Sequence, residues 1–176
     1  MQIIEINEPG TANLKDEIVV GIDFGTTNSL IAYSKNHHPK IIRNLGNNGL
    51  LPSVILYDDL NDRFLIGSNR NQKGVILSIK RLLAKSYQDI QSTKSLHKIL
   101  SGFELINSAN SSPKLKFQNK EYSFPELASK IFLCLKEHAE LEFGEVITKA
   151  VVSIPAYFDD ASRGAVLLAA KIAGFE

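Results

Sequence analysis

The residues best suited to chemistry lie in one short segment, residues 21–28, which reads Gly-Ile-Asp-Phe-Gly-Thr-Thr-Asn. Asp23 ends an apolar run, where a carboxylate is costly unless a cation or a donor meets it. Gly25 lets the backbone turn tightly, so that the amides and hydroxyls of Thr26 and Thr27 point into the turn. Such a nest of donors holds phosphate oxygens, and the adjacent carboxylate suits Mg²⁺ bound through water.

The same turn also has a purely structural interpretation, in which its Asp and Thr side chains only form hydrogen bonds with the local backbone. The pattern is neither a Walker P-loop nor a dinucleotide glycine fingerprint, since the chain contains no Gly-x-x-x-x-Gly-Lys. The single cysteine, Cys134, excludes an internal disulfide and a cysteine-based zinc site. We predict that Cys134 is a small core hydrophobe and not a reactive thiol.

Length and composition bound the other possibilities. A chain of 176 residues with 44% hydrophobic and 22% charged residues has the balance of an ordinary single globular domain. Its formal net charge of +1 gives no indication of a nucleic-acid or membrane partner. Residues 1–17 lack the pattern of a secretory signal, and no apolar run reaches about 18 residues. We therefore expect a cytoplasmic protein with no membrane span.

Strands and helices must position the segment at 21–28. Apolar β-branched residues predict a buried strand over 18–23 and a second strand over 29–33, joined by the donor-rich turn. Further along the chain, the patterns predict strands near 41–42, 52–57 and 64–67, a polar loop at 44–49, a helix over 75–85, a loop over 105–113, and a hairpin formed by 115–117 and 121–123.

The second half of the chain has the clearest helix signals. Ser123 and Glu126 form a capping box, which predicts a helix that starts there and ends at Gly144. An apolar strand is predicted over 146–155, and Asp159 is predicted to cap a last helix.

The order of these elements predicts a layered α/β core. Residues 18–39 and 124–176 would form the core, and residues 40–123 would form an inserted subdomain. Residues 1–17 would be an N-terminal extension.

The segment at 21–30 closely resembles the first phosphate loop of the DnaK-type heat-shock chaperones, within the wider actin and sugar-kinase superfamily. Three further segments match in the right order: Leu-Leu-Pro-Ser-Val at 50–54, Ser-Ile-Lys-Arg-Leu at 78–82, and Val-Val-Ser-Ile-Pro-Ala-Tyr-Phe-Asp-Asp at 151–160. The resemblance implies the actin-like, ribonuclease H-like ATPase fold. This chain would hold its first lobe only, a mixed sheet with flanking helices and an inserted α+β subdomain.

The resemblance implies a role for each matching residue of the loop. Asp23 would order water around Mg²⁺, and the residues lining the phosphates of ATP would be Gly25, Thr26, Thr27 and Asn28. Lys80 would reach the γ-phosphate and stabilise charge in the transition state. Without the resemblance, Lys80 reads equally well as a solvated helix lysine.

Three later residues resemble positions that couple ATP binding to the substrate-binding domain of the family. They are Pro155, Tyr157 and Arg163. The alternative is a rigid strand exit at Pro155 and a surface residue at Arg163.

Two details point to one branch of the family. The leader Ile-Asn-Glu-Pro-Gly at 6–10 and the Asp-Asp pair at 159–160 resemble the branch that serves iron–sulfur cluster assembly. The implied partners are a J-domain co-chaperone and an iron–sulfur scaffold protein. The family's second phosphate loop, water-positioning glutamate, adenosine pocket and peptide-binding domain come after the matched segments. We therefore expect ATP hydrolysis in the complete protein and little or none by this chain alone.

Two other functions stay open beside the chaperone. One is a truncated non-catalytic fragment that acts at most as an interaction module. The other is a sugar kinase of the same superfamily, against which the Pro-Ala-Tyr-Phe segment and the Lys80–Arg81 pair argue.

One departure from the family pattern concerns the last helix, where residues 165–170 are almost wholly apolar. A helix that is apolar on all sides is normally covered on several of them. The segment marks either a surface that a partner covers or a place where further chain would pack.

Overall fold

The computed structural model describes residues 18–43, 49–72, 74–100, 102–107 and 112–176. Its elements in chain order are β1 (Val19–Asp23), β2 (Asn28–Lys35), β3 (His38–Ile41), β4 (Leu51–Pro52), β5 (Val54–Asp58), β6 (Arg63–Ile66), β7 (Val75–Leu77), a 3₁₀ turn (Ile79–Arg81), α1 (Tyr87–Ser92), α2 (Lys94–Ile99), β8 (Glu104–Asn107), β9 (Pro113–Phe117), β10 (Lys120–Ser123), α3 (Phe124–Phe143), β11 (Lys149–Ser153) and α4 (Asp160–Ile172). The predicted extension at 1–17 and most of the predicted polar loop at 44–49 lie outside the described residues.

The central sheet joins the two ends of the described chain. β1 pairs in parallel with β11 on one side and antiparallel with β2 on the other. β3 and β4 both pair with β2, so the strand order is β11-β1-β2-β3 with β4 beside β2. This mixed sheet, flanked by α3 and α4, confirms the predicted α/β class.

Two small antiparallel sheets fill the middle of the chain, with strand orders β6-β5-β7 and β10-β9-β8. An aromatic cluster joins them. The Tyr57 ring centroid lies 4.8 Å from that of Phe117 and 5.1 Å from that of Phe64. Phe64 also meets Tyr122 edge-on at 5.0 Å. Such tilted and edge-on contacts stabilise aromatic pairs beyond the area that they bury.

The helix α3 packs its apolar stripe on the central sheet, with Leu127, Ile131 and Leu135 buried. Its predicted capping box is confirmed: the Ser123 hydroxyl accepts from the Glu126 amide, and the Ser123 amide donates to the Glu126 carboxylate at 2.7 Å. The helix ends at Gly144, whose φ of 70° is left-handed and favours glycine.

Removing this cap should destabilise the fold measurably. We expect Ser123→Ala to lower the free energy of unfolding by about 1 kcal/mol, because it orphans the Glu126 amide. Urea denaturation measures the change. Thr93 is the N-cap of α2 but makes no side-chain cap hydrogen bond, so Thr93→Ala is the control and should change stability by about 0.5 kcal/mol or less. Equal losses in the two variants would contradict the capping argument.

The predicted helix over 75–85 is wrong. Residues Val75–Leu77 form a strand that pairs with β5, and only one 3₁₀ turn follows it. Ser78 separates the two with a left-handed φ of 54°, which a helix interior does not accommodate. The apolar residues Ile76, Ile79 and Leu82 are nevertheless all buried, so the spacing reflected burial and not helical periodicity.

The predicted loop over 105–113 is wrong for its described part. Glu104–Asn107 is a strand, and Leu105 lies opposite Leu115 on β9. The hairpin predicted from 115–117 and 121–123 is confirmed as β9 and β10. The short helices α1 and α2 had no counterpart among the predictions.

Two smaller expectations concern Cys134 and the membrane. Cys134 packs half-buried against the core, and burial raises the pKa of its thiol to about 11, so it stays protonated and behaves as a small hydrophobe. Among the described residues, no helix is long and apolar enough to cross a membrane.

Candidate phosphate-binding site

The end of β1 presents a carboxylate to solvent. Asp23 is exposed, and its Oδ1 accepts a hydrogen bond of 2.8 Å from the Ser153 hydroxyl. The two residues lie directly opposite each other in the parallel pairing of β1 with β11. The arrangement orients the Asp23 carboxylate through one oxygen.

The turn after Asp23 is too tight for any side chain at Gly25. A Cβ atom there would lie 2.0 Å from the backbone oxygen of Asn28, well inside contact distance. Glycine is therefore required by the close approach of two backbone segments.

Ser53 fastens the same turn from the neighbouring strands. Its hydroxyl donates to the Gly25 carbonyl at 2.9 Å, and its amide donates to the Thr27 carbonyl at 2.9 Å. The buried hydroxyls of Ser29 and Ser53 lie 2.9 Å apart and share a further hydrogen bond. Ser53 thus satisfies the carbonyl groups of Gly25 and Thr27, while the side chains of Thr26 and Thr27 are exposed.

Lys80 reaches this turn from the 3₁₀ segment. Its ammonium donates to the Phe24 carbonyl at 2.5 Å, across 56 residues of sequence. It also lies 5.6 Å from the Phe24 ring centroid and 5.5 Å from the Phe158 ring centroid, within range of cation–π attraction. Partial burial lowers the pKa of Lys80, and the charge of Asp23 acts in the opposite direction.

A polar cavity of about 520 Å³ opens beside this lysine. Thr26 and Lys80 line one part of it, and Tyr157 and Phe158 line another. Thr27 and Asn28 follow along the turn and are exposed. Of the predicted site residues, Thr26, Lys80 and Tyr157 therefore line one cavity, and the other residues of the predicted loop do not line it.

The three residues predicted to couple the site to another domain lie on one turn and the helix after it. The Phe158 amide donates to the Pro155 carbonyl at 3.1 Å and closes the turn. Arg163 is exposed, but its guanidinium donates to the Phe158 carbonyl at 2.9 Å and to the Ala156 carbonyl at 3.4 Å. Arg163 thus ties down the turn that presents Tyr157, whose side chain is 86% exposed.

Sequence reasoning missed Arg70 and Ser53. The Arg70 guanidinium donates to the Thr27 carbonyl and, at 3.1 Å, to the side-chain oxygen of Asn28. These contacts span more than 40 residues, and Arg70 lies in a polar turn with no local pattern that marks it. Ser53 did fall inside the matching segment at 50–54, which was the only available signal.

The residues present fit a phosphate with Mg²⁺. Asp23 is one exposed carboxylate with a second oxygen uninvolved in the Ser153 bond, and Mg²⁺ characteristically takes one or two carboxylates, water and phosphate oxygens. Across the described ranges, no group of three or more His, Cys, Asp or Glu side chains could hold a metal by itself. The donor set therefore suits a hydrated cation bound together with a phosphate better than an all-protein metal site.

Comparison with known proteins identifies the class. Residues 19–176 match the family described as Hsp70 protein, and the chain therefore belongs to the Hsp70 family, with the mixed α/β fold of the first actin-like ATPase lobe. Membership of this family removes the sugar-kinase alternative.

Individual relatives show which branch of the family the chain resembles. The chain is 47% identical over 178 residues to a chaperone protein HscA homolog of Rickettsia africae, a match that covers 100% of this chain and 29% of that protein. The HscA homolog of Rickettsia felis is also 47% identical, with 27% of it covered, and that of Rickettsia typhi is 46% identical, with 29% covered. The chain thus spans less than a third of the length of these curated relatives.

Proposed function

We propose that this chain forms the phosphate-binding lobe of an ATP-dependent, HscA-like chaperone that assists the maturation of iron–sulfur proteins. One observation carries the proposal: the Lys80 ammonium donates a hydrogen bond of 2.5 Å to the carbonyl of Phe24, the residue just before the turn at 25–28. A fixed cation beside a tight turn with exposed hydroxyls is an arrangement that suits transferring phosphoryl groups.

Each residue of the turn has a distinct part in this proposal. Asp23 holds Mg²⁺ through water, and the bound ion shields the negative charge of the phosphates. Gly25 admits the backbone close to the ligand, and the residues that donate to phosphate oxygens are Thr26, Thr27 and Asn28. Lys80 stabilises charge on the terminal phosphate.

The proposal extends to partners and location. The turn formed by Pro155 and Tyr157, tied by Arg163, would transmit the state of the nucleotide to a substrate-binding domain. The partners would be a J-domain co-chaperone and an iron–sulfur scaffold protein. The location would be the cytoplasm, where a protonated, unpaired thiol such as Cys134 is ordinary.

A non-catalytic interaction module is the second candidate. The exposure of Asp23, Thr27 and Asn28 favours it, because a ligand held only by exposed groups stays largely hydrated. Nucleotide binding by the purified protein separates the two candidates.

The test is a calorimetric titration of the purified 176-residue protein with ATP and Mg²⁺. We expect binding, and we expect Lys80→Ala to weaken it about tenfold or more, since a charge-assisted hydrogen bond contributes about 1.5–3 kcal/mol. Lys35→Ala is the control, because Lys35 is an exposed lysine at the far end of β2 and should leave affinity unchanged.

Absence of ATP binding by the wild-type protein would favour the interaction module. The same samples test the expectation of little or no hydrolysis. Rapid Mg²⁺-dependent turnover that Lys80→Ala abolishes would refute that expectation.

A further inference from the structure

An exposed arginine far from the phosphate turn in sequence contacts two acceptors of that turn. Arg70 lies in a loop after β6 that makes its own hydrogen bonds. The Gln72 amide donates to the Asn69 carbonyl at 3.0 Å, and the Asn71 amide donates to the Asn69 side-chain oxygen at 3.0 Å. The loop is therefore shaped independently of the Arg70 side chain, which reaches across to the turn at 25–28.

The first acceptor, the Thr27 carbonyl, has a second donor. The Ser53 amide donates to it at 2.9 Å, from the strand beside β2. A buried or half-buried carbonyl is costly only when it has no hydrogen bond at all. The backbone of the turn therefore stays satisfied without Arg70, and the fold does not require this contact.

The second acceptor, the side-chain amide of Asn28, depends on Arg70 alone. Within the described part of the chain, the Asn28 side chain makes no other hydrogen bond. A guanidinium carries only donors, so only the oxygen of the amide can face it. The bond of 3.1 Å between Arg70 Nη2 and Asn28 Oδ1 thus decides which way round the amide lies, with its NH₂ group turned away from Arg70.

The orientation of this amide matters for a phosphate ligand. Phosphate oxygens accept hydrogen bonds, so the NH₂ group of Asn28 can bind them and the carbonyl oxygen cannot. The last torsion of an asparagine side chain is broad and roughly two-fold, and an exposed amide without a partner occupies both orientations. Asn28 is exposed, so without Arg70 its donor would face the ligand only part of the time.

We propose that Arg70 is a positioning residue of the nucleotide site: it holds the oxygen of the Asn28 amide, so that the amide nitrogen is presented to a phosphate oxygen. This inference rests on the proposed function, because it needs a phosphate bound at the turn at 25–28. It assigns Arg70 no contact with the nucleotide, which distinguishes Arg70 from Lys80.

The contact itself can be tested in the ligand-free protein by nuclear magnetic resonance. The side-chain amide signals of Asn28 are those missing from the ¹H–¹⁵N spectrum of Asn28→Ala. We expect them to shift in Arg70→Ala and to stay in place in Arg63→Ala. Arg63 is the control, because it is an exposed arginine at the start of β6 that pairs with Asp58. Unchanged Asn28 signals in Arg70→Ala would overturn the proposal.

A double-mutant cycle tests the positioning role in nucleotide binding. We expect Arg70→Ala to weaken the binding of ATP with Mg²⁺ about fivefold in a calorimetric titration, and Asn28→Ala to do so by a similar factor. Combining the two changes should weaken binding by no more than about twofold beyond Asn28→Ala, since Arg70 acts through that amide. Arg63→Ala should bind as wild type, and the midpoint of urea denaturation should be the same in Arg70→Ala and wild type.

The remaining outcomes separate this inference from the proposed function. A double variant about twenty-five-fold weaker than wild type would show that Arg70 acts on the phosphate by itself, and would refute the positioning role. A lower urea midpoint in Arg70→Ala would refute it as well, because Arg70 would then support the fold. Wild-type binding that Arg70→Ala leaves unchanged contradicts this inference alone, whereas a wild-type protein that binds no ATP contradicts the proposed function and this inference together.

Discussion

Gly25→Ala should abolish nucleotide binding and lower the free energy of unfolding by about 1–3 kcal/mol. The added methyl group would lie 2.0 Å from the Asn28 carbonyl oxygen, and that oxygen belongs to the backbone and cannot rotate away. The turn must open, and the hydrogen bonds from Ser53 to the Gly25 and Thr27 carbonyls are then disturbed together. Urea denaturation measures the stability, and titration with ATP and Mg²⁺ measures the binding.

Gly21→Ala provides a control four residues earlier in the same segment. A Cβ at Gly21 would lie 3.9 Å from the Ala32 carbonyl oxygen, which is ordinary contact. We expect that variant to fold with a stability within about 1 kcal/mol of wild type. If Gly25→Ala were as mild as Gly21→Ala, the tight turn would not be the reason for the glycine.

Phe132→Ala should produce the largest loss of stability, about 3–5 kcal/mol. Phe132 is fully buried on α3, and its ring centroid lies 4.8 Å from that of Phe24. Removing it leaves a cavity under the residue whose carbonyl accepts from Lys80. We therefore expect weakened ATP binding as well, although Phe132 does not line the cavity at the site.

Leu133→Ala, at the next position of α3, is the control. It distinguishes the loss of buried contacts from a change in helix propensity. Leu133 is 39% exposed, so its truncation should cost about 1 kcal/mol or less. Urea denaturation of both variants gives the comparison. A Phe132→Ala protein that unfolds at the same urea concentration as Leu133→Ala would contradict the role assigned to the buried aromatic pair.

The parts of the fold that could be predicted are those whose signals are local. The capping box at Ser123 and the stop at Gly144 specify α3 within a few residues of chain. The helix predicted over 75–85 is wrong because Ser78 adopts a left-handed conformation, which is uncommon for residues other than glycine and which the local sequence does not indicate. The loop prediction over 105–113 was wrong at Glu104–Asn107 because this segment is a strand by virtue of its pairing with β9. Its own composition does not indicate a strand.

The residues of the candidate site also differ in whether their own local sequence predicts them. Asp23 and Gly25 stand in one segment whose chemistry can be recognised by itself. Lys80 could be placed beside that segment only through a family resemblance. Arg70 and Ser53 contact the turn across 43 and 28 residues, and nothing in their own neighbourhoods predicts those contacts.

The pairing of β1 with β11 has a consequence for when the site forms. Asp23 and its hydroxyl donor Ser153 are 130 residues apart, so a loop of that length must close before the carboxylate is oriented. Contacts of such long sequence separation slow folding, and during synthesis the first strand has no partner in β11 until the chain has emerged past residue 153. We therefore expect the local hairpin of β1 and β2, with the turn at 25–28, to form before the Asp23 carboxylate acquires its hydroxyl partner.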